Sequence, residues 1–233
     1  MRSFEMLSLD VAAGRPFAPR TRVASGIVEL RTRRVAPISA YDMTRIMRYA
    51  EGHKEAVRER IVAAAAKALR EHGLSGVSVA ALMKSAGLTH GGFYAHFENR
   101  DALVAAAVEA AGVQTARSVF GDDVPLADTL RAYLSRTHVE HPERGCVVAA
   151  LGADAARQGR PVRRAFANVA KGLLRLVDAK LRPKPRNHEP SDEALRLAST
   201  MVGAVVLARL VNDAALAERL LGAARLSLPT RDS

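Results

Sequence analysis

Between Gly73 and Asn99 the chain sets the same punctuation twice, and no other stretch constrains the fold as much. Ser78 stands where a helix N-cap belongs. Val77 precedes it and Leu82 occupies the fourth helical position, the pattern of a hydrophobic staple. The segment "VAALMKSA" then stops at Gly87. Thr89 opens a second short helix in the same way, with Leu88 and Phe93 in the staple relation. Cap, staple and glycine turn repeated at this spacing are the signature of a helix-turn-helix.

The second unit, "THGGFYAHF", explains its own oddity. It holds three of the ten aromatic residues of the chain, yet Gly91 and Gly92 stand directly before Phe93. Each glycine costs roughly 1 kcal/mol in a helix interior relative to alanine. In a helix-turn-helix the second helix enters the major groove with its first residues at the base edges. The spacing predicts Phe93 and Phe97 in a three-helix core with Leu82 and Ile61, and His90, Gly91, Tyr94 and, at the edge of that face, Gly92 facing outward. Glycine on that face lets the backbone approach bases and phosphates, while the aromatic face supplies the packing.

Elsewhere the pattern is helical and strand-like alternation is missing, so the fold class is all-α. "KEAVRERIVAAAAKALREHG" places Val57, Ile61, Ala64, Ala65, Ala68 and Leu69 on one face, with Gly73 as C-terminal cap and Leu74 in the hydrophobic position after it. Further helices are expected at about 99–119, 126–140, 147–158, 161–182, 191–211 and 213–225. Pro161 suits a helix start, and Ser191 with Asp192 and Glu193 makes an N-cap and an acidic first turn. "RPKPRNHEP" reads as a loop. Residues 1–47 differ: arginines punctuate proline, glycine and β-branched residues without a period up to about residue 42. They read as a basic flexible arm or as a leader upstream of a start at Met43.

The formal net charge of +11 favours a polyanionic partner, nucleic acid before an anionic membrane surface. The apolar run at 197–208 is shorter than the ~20 residues a membrane span needs. The single cysteine, Cys146, rules out a disulfide framework within one chain and suits a cytoplasmic location. No Gly-rich phosphate loop, nucleophile–base spacing or metal cluster is visible, so neither a cofactor nor catalysis is implied.

The stretch "VSVAALMKSAGLTHGGFYAHFENRDAL" resembles the DNA-binding motif of the tetracycline-repressor (TetR) family of bacterial transcriptional regulators, over about residues 48–104. The resemblance implies an N-terminal three-helix DNA-binding domain at 48–98, followed by a helical effector-binding and dimerisation domain at 99–233. It implies a homodimer joined through about 191–225, two recognition helices about 34–36 Å apart, and a palindromic operator of double-stranded DNA. Carried over by position, Ser78 and Thr89 present hydroxyls and N-terminal amides to phosphates, and His90, Gly91 and Gly92 approach base edges. Tyr94 and His96 match phosphate contacts. Arg100 stands where many members have lysine, a further phosphate contact. Met201, Gly203, Ala204, Leu207 and Leu210 are expected near the dimer seam or in the intrachain core.

An inducer pocket is expected among the helices spanning about 99–182. Cys146 follows a loop and opens a helix close to Arg144, which makes it either a sensor thiol or a small buried hydrophobe. Tyr133, His138 and Phe166 are the other candidate pocket residues, with Asn168 nearby in sequence. His138 and His141 lack a third ligand, so no metal site is assigned. Two rival functions stay open: a sequence-nonspecific architectural DNA-binding protein, and a small helical enzyme using Cys146.

Overall fold

The computed structural model describes residues 40–182 and 189–226, with side chains from residue 52 onward. The chain divides into compact units at 1–43 and 44–233, and the account that follows concerns the second. The arm expected at 1–47 lies outside the described residues up to residue 39, and from Ala40 the backbone is already helical. The described residues form only helices and the turns between them.

The first helix, α1, runs Ala40–His72 and ends at Gly73, whose φ of +82° is the left-handed C-terminal cap expected of it. Val57, Ile61, Ala65 and Leu69 are buried, and so are Val62 and Ala66 one row over. The second helix, α2, runs Val79–Ser85; the Ser78 hydroxyl accepts from the Ala81 amide at 3.2 Å, and Gly87 at φ +73° closes the turn. The next segment departs from expectation. His90–Ala95 is a 3₁₀ helix, and Thr89 has the extended backbone of an N-cap while its hydroxyl makes no capping bond. Two adjacent glycines weaken helical propagation, and a segment this short accepts the tighter i to i+3 winding.

Helix α3 (Arg100–Val119) is capped by the Asn99 carboxamide and packs along α7 (Arg160–Leu181). A Cβ at Gly112 would lie 2.8 Å from Val169, so only glycine allows α3 and α7 to approach so closely there. The single helix expected at 126–140 is two: α4 (Leu126–Tyr133) and α5 (Arg136–Glu140). Ser135 adopts the extended N-cap conformation and accepts from the His138 amide, which starts a new helix where one would have continued. Helix α6 is Val147–Ala155, α8 is Asp192–Leu210 and α9 is Ala214–Leu226. At the head of α8, Ser191 donates its amide and hydroxyl to the Asp178 carboxylate, which also accepts from Arg182. Those donors pull the Asp178 carboxyl down to about 2.

Two apolar clusters form the interior. One joins α1, α2 and the 3₁₀ helix to α3, the inner face of α6 and the first half of α7. The other joins α4, the second half of α7, α8 and α9. The start of α6 is where they meet: Cys146 belongs to the second cluster and Val147 to the first.

Of the residues expected near a dimer seam, Met201 and Ala204 are buried within the chain. Gly203, Leu207 and Leu210 lie on the opposite face of α8, where Leu207 is 50% and Leu210 72% exposed.

Candidate nucleic-acid interface and effector site

The 3₁₀ winding sets the outward face of the recognition segment. With three residues per turn, positions three apart fall in one row, so Gly91 lies in the same row as Tyr94. Tyr94 is 72% exposed, Gly91 and His90 are exposed, and a Cβ at Gly91 would meet nothing within 4 Å. Gly92 turns inward, since its missing Cβ would lie 3.8 Å from the Met83 methyl. Phe93 and Phe97 are buried, their rings stacked at 5.9 Å, and Arg58 of α1 lies 5.0 Å over the Phe97 ring. The face is thus bare backbone and one tyrosine, held from behind by two phenylalanines.

Ser78 and Thr89 are exposed at the starts of the two short helices, beside that face. Two expected phosphate contacts sit differently. Arg100 is half-buried and its Nη2 donates to the Leu74 and Val77 carbonyls, bracing the turn between α1 and α2. His96 is half-buried, with Nδ1 enclosed and unpartnered. If Tyr94 contacts phosphate, replacing it with alanine weakens binding to operator and to unrelated DNA by similar factors, because such a contact carries no sequence information. Loss on operator alone, measured by fluorescence anisotropy on both DNAs, would reassign Tyr94 to base reading.

Behind this head, a cavity of about 590 Å³ opens between α3, α6 and α7. Val113, Val169, Leu173 and Leu176 form apolar walls, Glu109 and Arg175 supply charge, and Cys146 lies in the lining. Asn168 lines it too, whereas Phe166 packs into the interior and Tyr133 is not part of the wall. A smaller cavity of about 160 Å³, lined by His138, His141 and Arg144, meets Cys146 from the other side.

Cys146 is buried at the N-cap of α6. Its amide donates to His138 Nε2 at 2.9 Å, and His138 Nδ1 lies 2.6 Å from the Tyr133 carbonyl, freed where α4 ends. Nε2 therefore accepts and Nδ1 carries the proton, so the imidazole is held neutral with both nitrogens occupied. Burial, opposed by the bond to the Tyr133 carbonyl, lowers its pKa to about 4. In the unfolded chain the imidazole protonates near its ordinary 6.5. As pH falls from 6.5 toward 4 the unfolded state takes up the extra proton, so stability is full above that window and is lost through it. The expected slope is up to about 1.4 kcal/mol per pH unit. Urea titrations at stepped pH, wild type against His138→Gln, measure it; equal slopes would remove His138 as the cause.

Beside this imidazole the Tyr133 ring stands at 4.6 Å, fully buried, and its hydroxyl lies against the Cys146 thiol. Burial and the adjacent Cys146 raise the phenol well above its ordinary pKa. Arg209 of α8 donates to the His138 and Val139 carbonyls, at 2.7 and 3.2 Å, and leaves Nη1 buried and unpartnered.

Arg70 of α1 completes the site. Although it is arginine it is buried, and it donates to Ala66 O at 2.9 Å, to Gly145 O at 2.7 Å and to Gln114 Oε1 at 2.8 Å. One side chain thus ties the DNA-binding head to α3 and to the residue directly before Cys146. Neither Arg70 nor Arg209 stands out in the sequence. The available signal for Arg70 is that it continues the buried row Val62–Ala66.

Residues 61–107 match the sequence profile of bacterial regulatory proteins of the tetR family. The chain carries a DNA-binding segment of the tetR type. Among solved structures similar to this chain is the reduced form of NemR from E. coli, at 21% identity and a TM-score of 0.60, covering 76% of this chain and all of that one. A TetR transcriptional regulator from Chloroflexus aurantiacus is similar at 26% identity and a TM-score of 0.57, covering 75% of this chain and 94% of that one. A TetR-family regulator from Agrobacterium tumefaciens has a TM-score of 0.57 at 17% identity, over 76% of this chain and all of that one. No curated protein matches the chain. The profile match covers the segment that contains the helix-turn-helix, and the solved structures share the all-helical fold. Among the described residues no helix is long and apolar enough to cross a membrane, and no three His, Cys, Asp or Glu side chains are grouped to hold a metal.

Proposed function

We propose that this regulator is a homodimeric repressor that binds a palindromic operator through the face bearing His90, Gly91 and Tyr94. Release follows from occupancy of the cavity beside Cys146 or from modification of its thiol. The observation that carries the DNA half is the bare, exposed row of Gly91 and Tyr94 on a segment anchored by Phe93 and Phe97. The exposed Leu207 and Leu210 on α8, beside an open Gly203, support self-association through α8 and α9. For the effector half, the support is an apolar cavity that reaches the same α6 start that Arg70 ties to the head. A ligand shifts the equilibrium only by its differential affinity for the DNA-competent and released geometries, and the Arg70 tie is where the two could differ.

The testing experiment titrates the protein against DNA from its own upstream intergenic region and against a scrambled fragment, at two salt concentrations. A preference of roughly 10³ or more for the native fragment that survives the higher salt is expected. Equal affinities that vanish together as salt rises would favour the architectural reading over the repressor.

A further inference from the structure

Three polar features converge at the start of α6 and nothing within the fold uses them together. The Tyr133 hydroxyl is buried against the Cys146 thiol, and the Arg209 Nη1 group beside them is buried without a partner. Their closeness is fixed by the ring contact of Tyr133 with His138, the bond from the Cys146 amide to the same imidazole, and the Arg209 bond to the His138 carbonyl. A thiol is a weak acceptor for the phenol and Arg209 Nη1 has none, so the reduced state leaves both enclosed donors poorly satisfied, at a cost in stability. An oxygen atom on the sulfur is an acceptor of the right size and place.

We propose that Tyr133 and Arg209 form a receptor for an oxygen atom on Cys146, making this cysteine a site of reversible oxidation by organic hydroperoxides. The Cys146 sulfur attacks the terminal oxygen of the hydroperoxide: the S–O bond forms as the O–O bond breaks. Sulfur loses two electrons, the hydroperoxide is reduced to its alcohol, and the thiol proton goes to the departing alkoxide, leaving a sulfenic acid. Rotation about the Cβ–Sγ bond carries the new oxygen from the cavity side toward the Tyr133 hydroxyl and Arg209 Nη1, which donate to it. The oxidant class follows from the approach. Cys146 lines the wall of the larger cavity beside Val147, Leu173 and Val169, so an apolar hydroperoxide partitions to the sulfur better than hydrogen peroxide does. A second thiol reduces the sulfenic acid back, forming a disulfide with a further thiol and releasing water.

The proposal rests on the reading of Cys146 as an effector-responsive residue, and its test is chemical, so it is decided whether or not oxidation releases DNA. The full-length protein is treated with cumene hydroperoxide or hydrogen peroxide, and intact mass and dimedone trapping follow the oxygen on Cys146, with Cys146→Ser as the blank. A single-oxygen adduct that dimedone captures and dithiothreitol reverses is expected, forming about tenfold faster with cumene hydroperoxide, as apolar partitioning into the cavity requires. Tyr133→Phe deletes only the hydroxyl, and its adduct should pass on to the sulfinic and sulfonic forms about tenfold sooner, the effect of one lost hydrogen bond. Arg209→Gln gives a second variant with the same expected direction, and thermal melts of both reduced variants check the fold. No trappable adduct in wild type, or one equally long-lived in folded Tyr133→Phe and Arg209→Gln, would overturn the receptor. Equal rates with the two oxidants would overturn the assignment to organic hydroperoxides. Adduct formation without any change in operator binding would leave the receptor standing and remove thiol modification from the proposed function.

Discussion

Gly91→Leu should reduce operator affinity to the level of unrelated DNA, a loss of roughly 10³-fold, while the melting curve stays where it is. The asymmetry follows from the site. In the free protein a Cβ at Gly91 meets nothing within 4 Å, and its backbone is not in the left-handed region, so leucine is accepted without strain. Leucine also recovers part of the propensity that glycine forgoes, about 0.8 kcal/mol in an α-helix. The added side chain stands in the row of Tyr94, on the face proposed to lie against DNA, and holds the backbone away from the base edges. Fluorescence anisotropy with operator and scrambled DNA, with a circular-dichroism melt, reads both halves. Unchanged affinity would mean that this face does not approach DNA; a lowered melting temperature would mean that Gly91 has a packing role that the structure does not show.

Arg70→Met should destabilise the protein by about 3 kcal/mol, the scale of charged hydrogen bonds broken in a buried setting. Methionine replaces the apolar stem of the arginine, so the loss is of the guanidinium and its bonds to Gly145 and Gln114 rather than of volume. Both acceptors are then left without their donor at the meeting point of α1, α3 and the loop before Cys146. Urea denaturation measures the difference, and Gln114→Leu in the same background separates the two bonds in a double-mutant cycle. A loss under about 1 kcal/mol would show that water replaces the guanidinium and that the tie is weak.

The all-helical fold and the helix-turn-helix were legible because their signals are local. Ser78, Gly73 and Gly87 do in the structure what cap and turn residues do anywhere. The 3₁₀ winding of His90–Ala95 was not legible, because Thr89 has the residue type and backbone of a cap but does not make its bond. Nor was the break between α4 and α5, where neither glycine nor proline marks the chain. It depends on Ser135 choosing cap geometry once the Tyr133 carbonyl has found His138, a contact that exists only in the folded state. The exposed recognition face followed from spacing. Arg100 turning inward did not, since its acceptors at Leu74 and Val77 lie a turn and a helix earlier in the chain. Of the pocket residues, Cys146 and His138 line cavities while Phe166 and Tyr133 are interior, because apolar periodicity cannot separate a wall from a core.

The apolar cluster behind the recognition segment takes residues from α3, α6 and α7 as well as from the three N-terminal helices. Leu82 and Phe93 therefore share one interior with Val108, Leu151 and Val162. The reading head is not a detachable cassette: excised at residue 98, it would leave much of its own interior behind. Grafting a new DNA specificity onto this protein should accordingly work by resurfacing His90, Gly91 and Tyr94 in place. Exchanging the whole head with that of a distant relative would also have to transplant the matching faces of α3, α6 and α7.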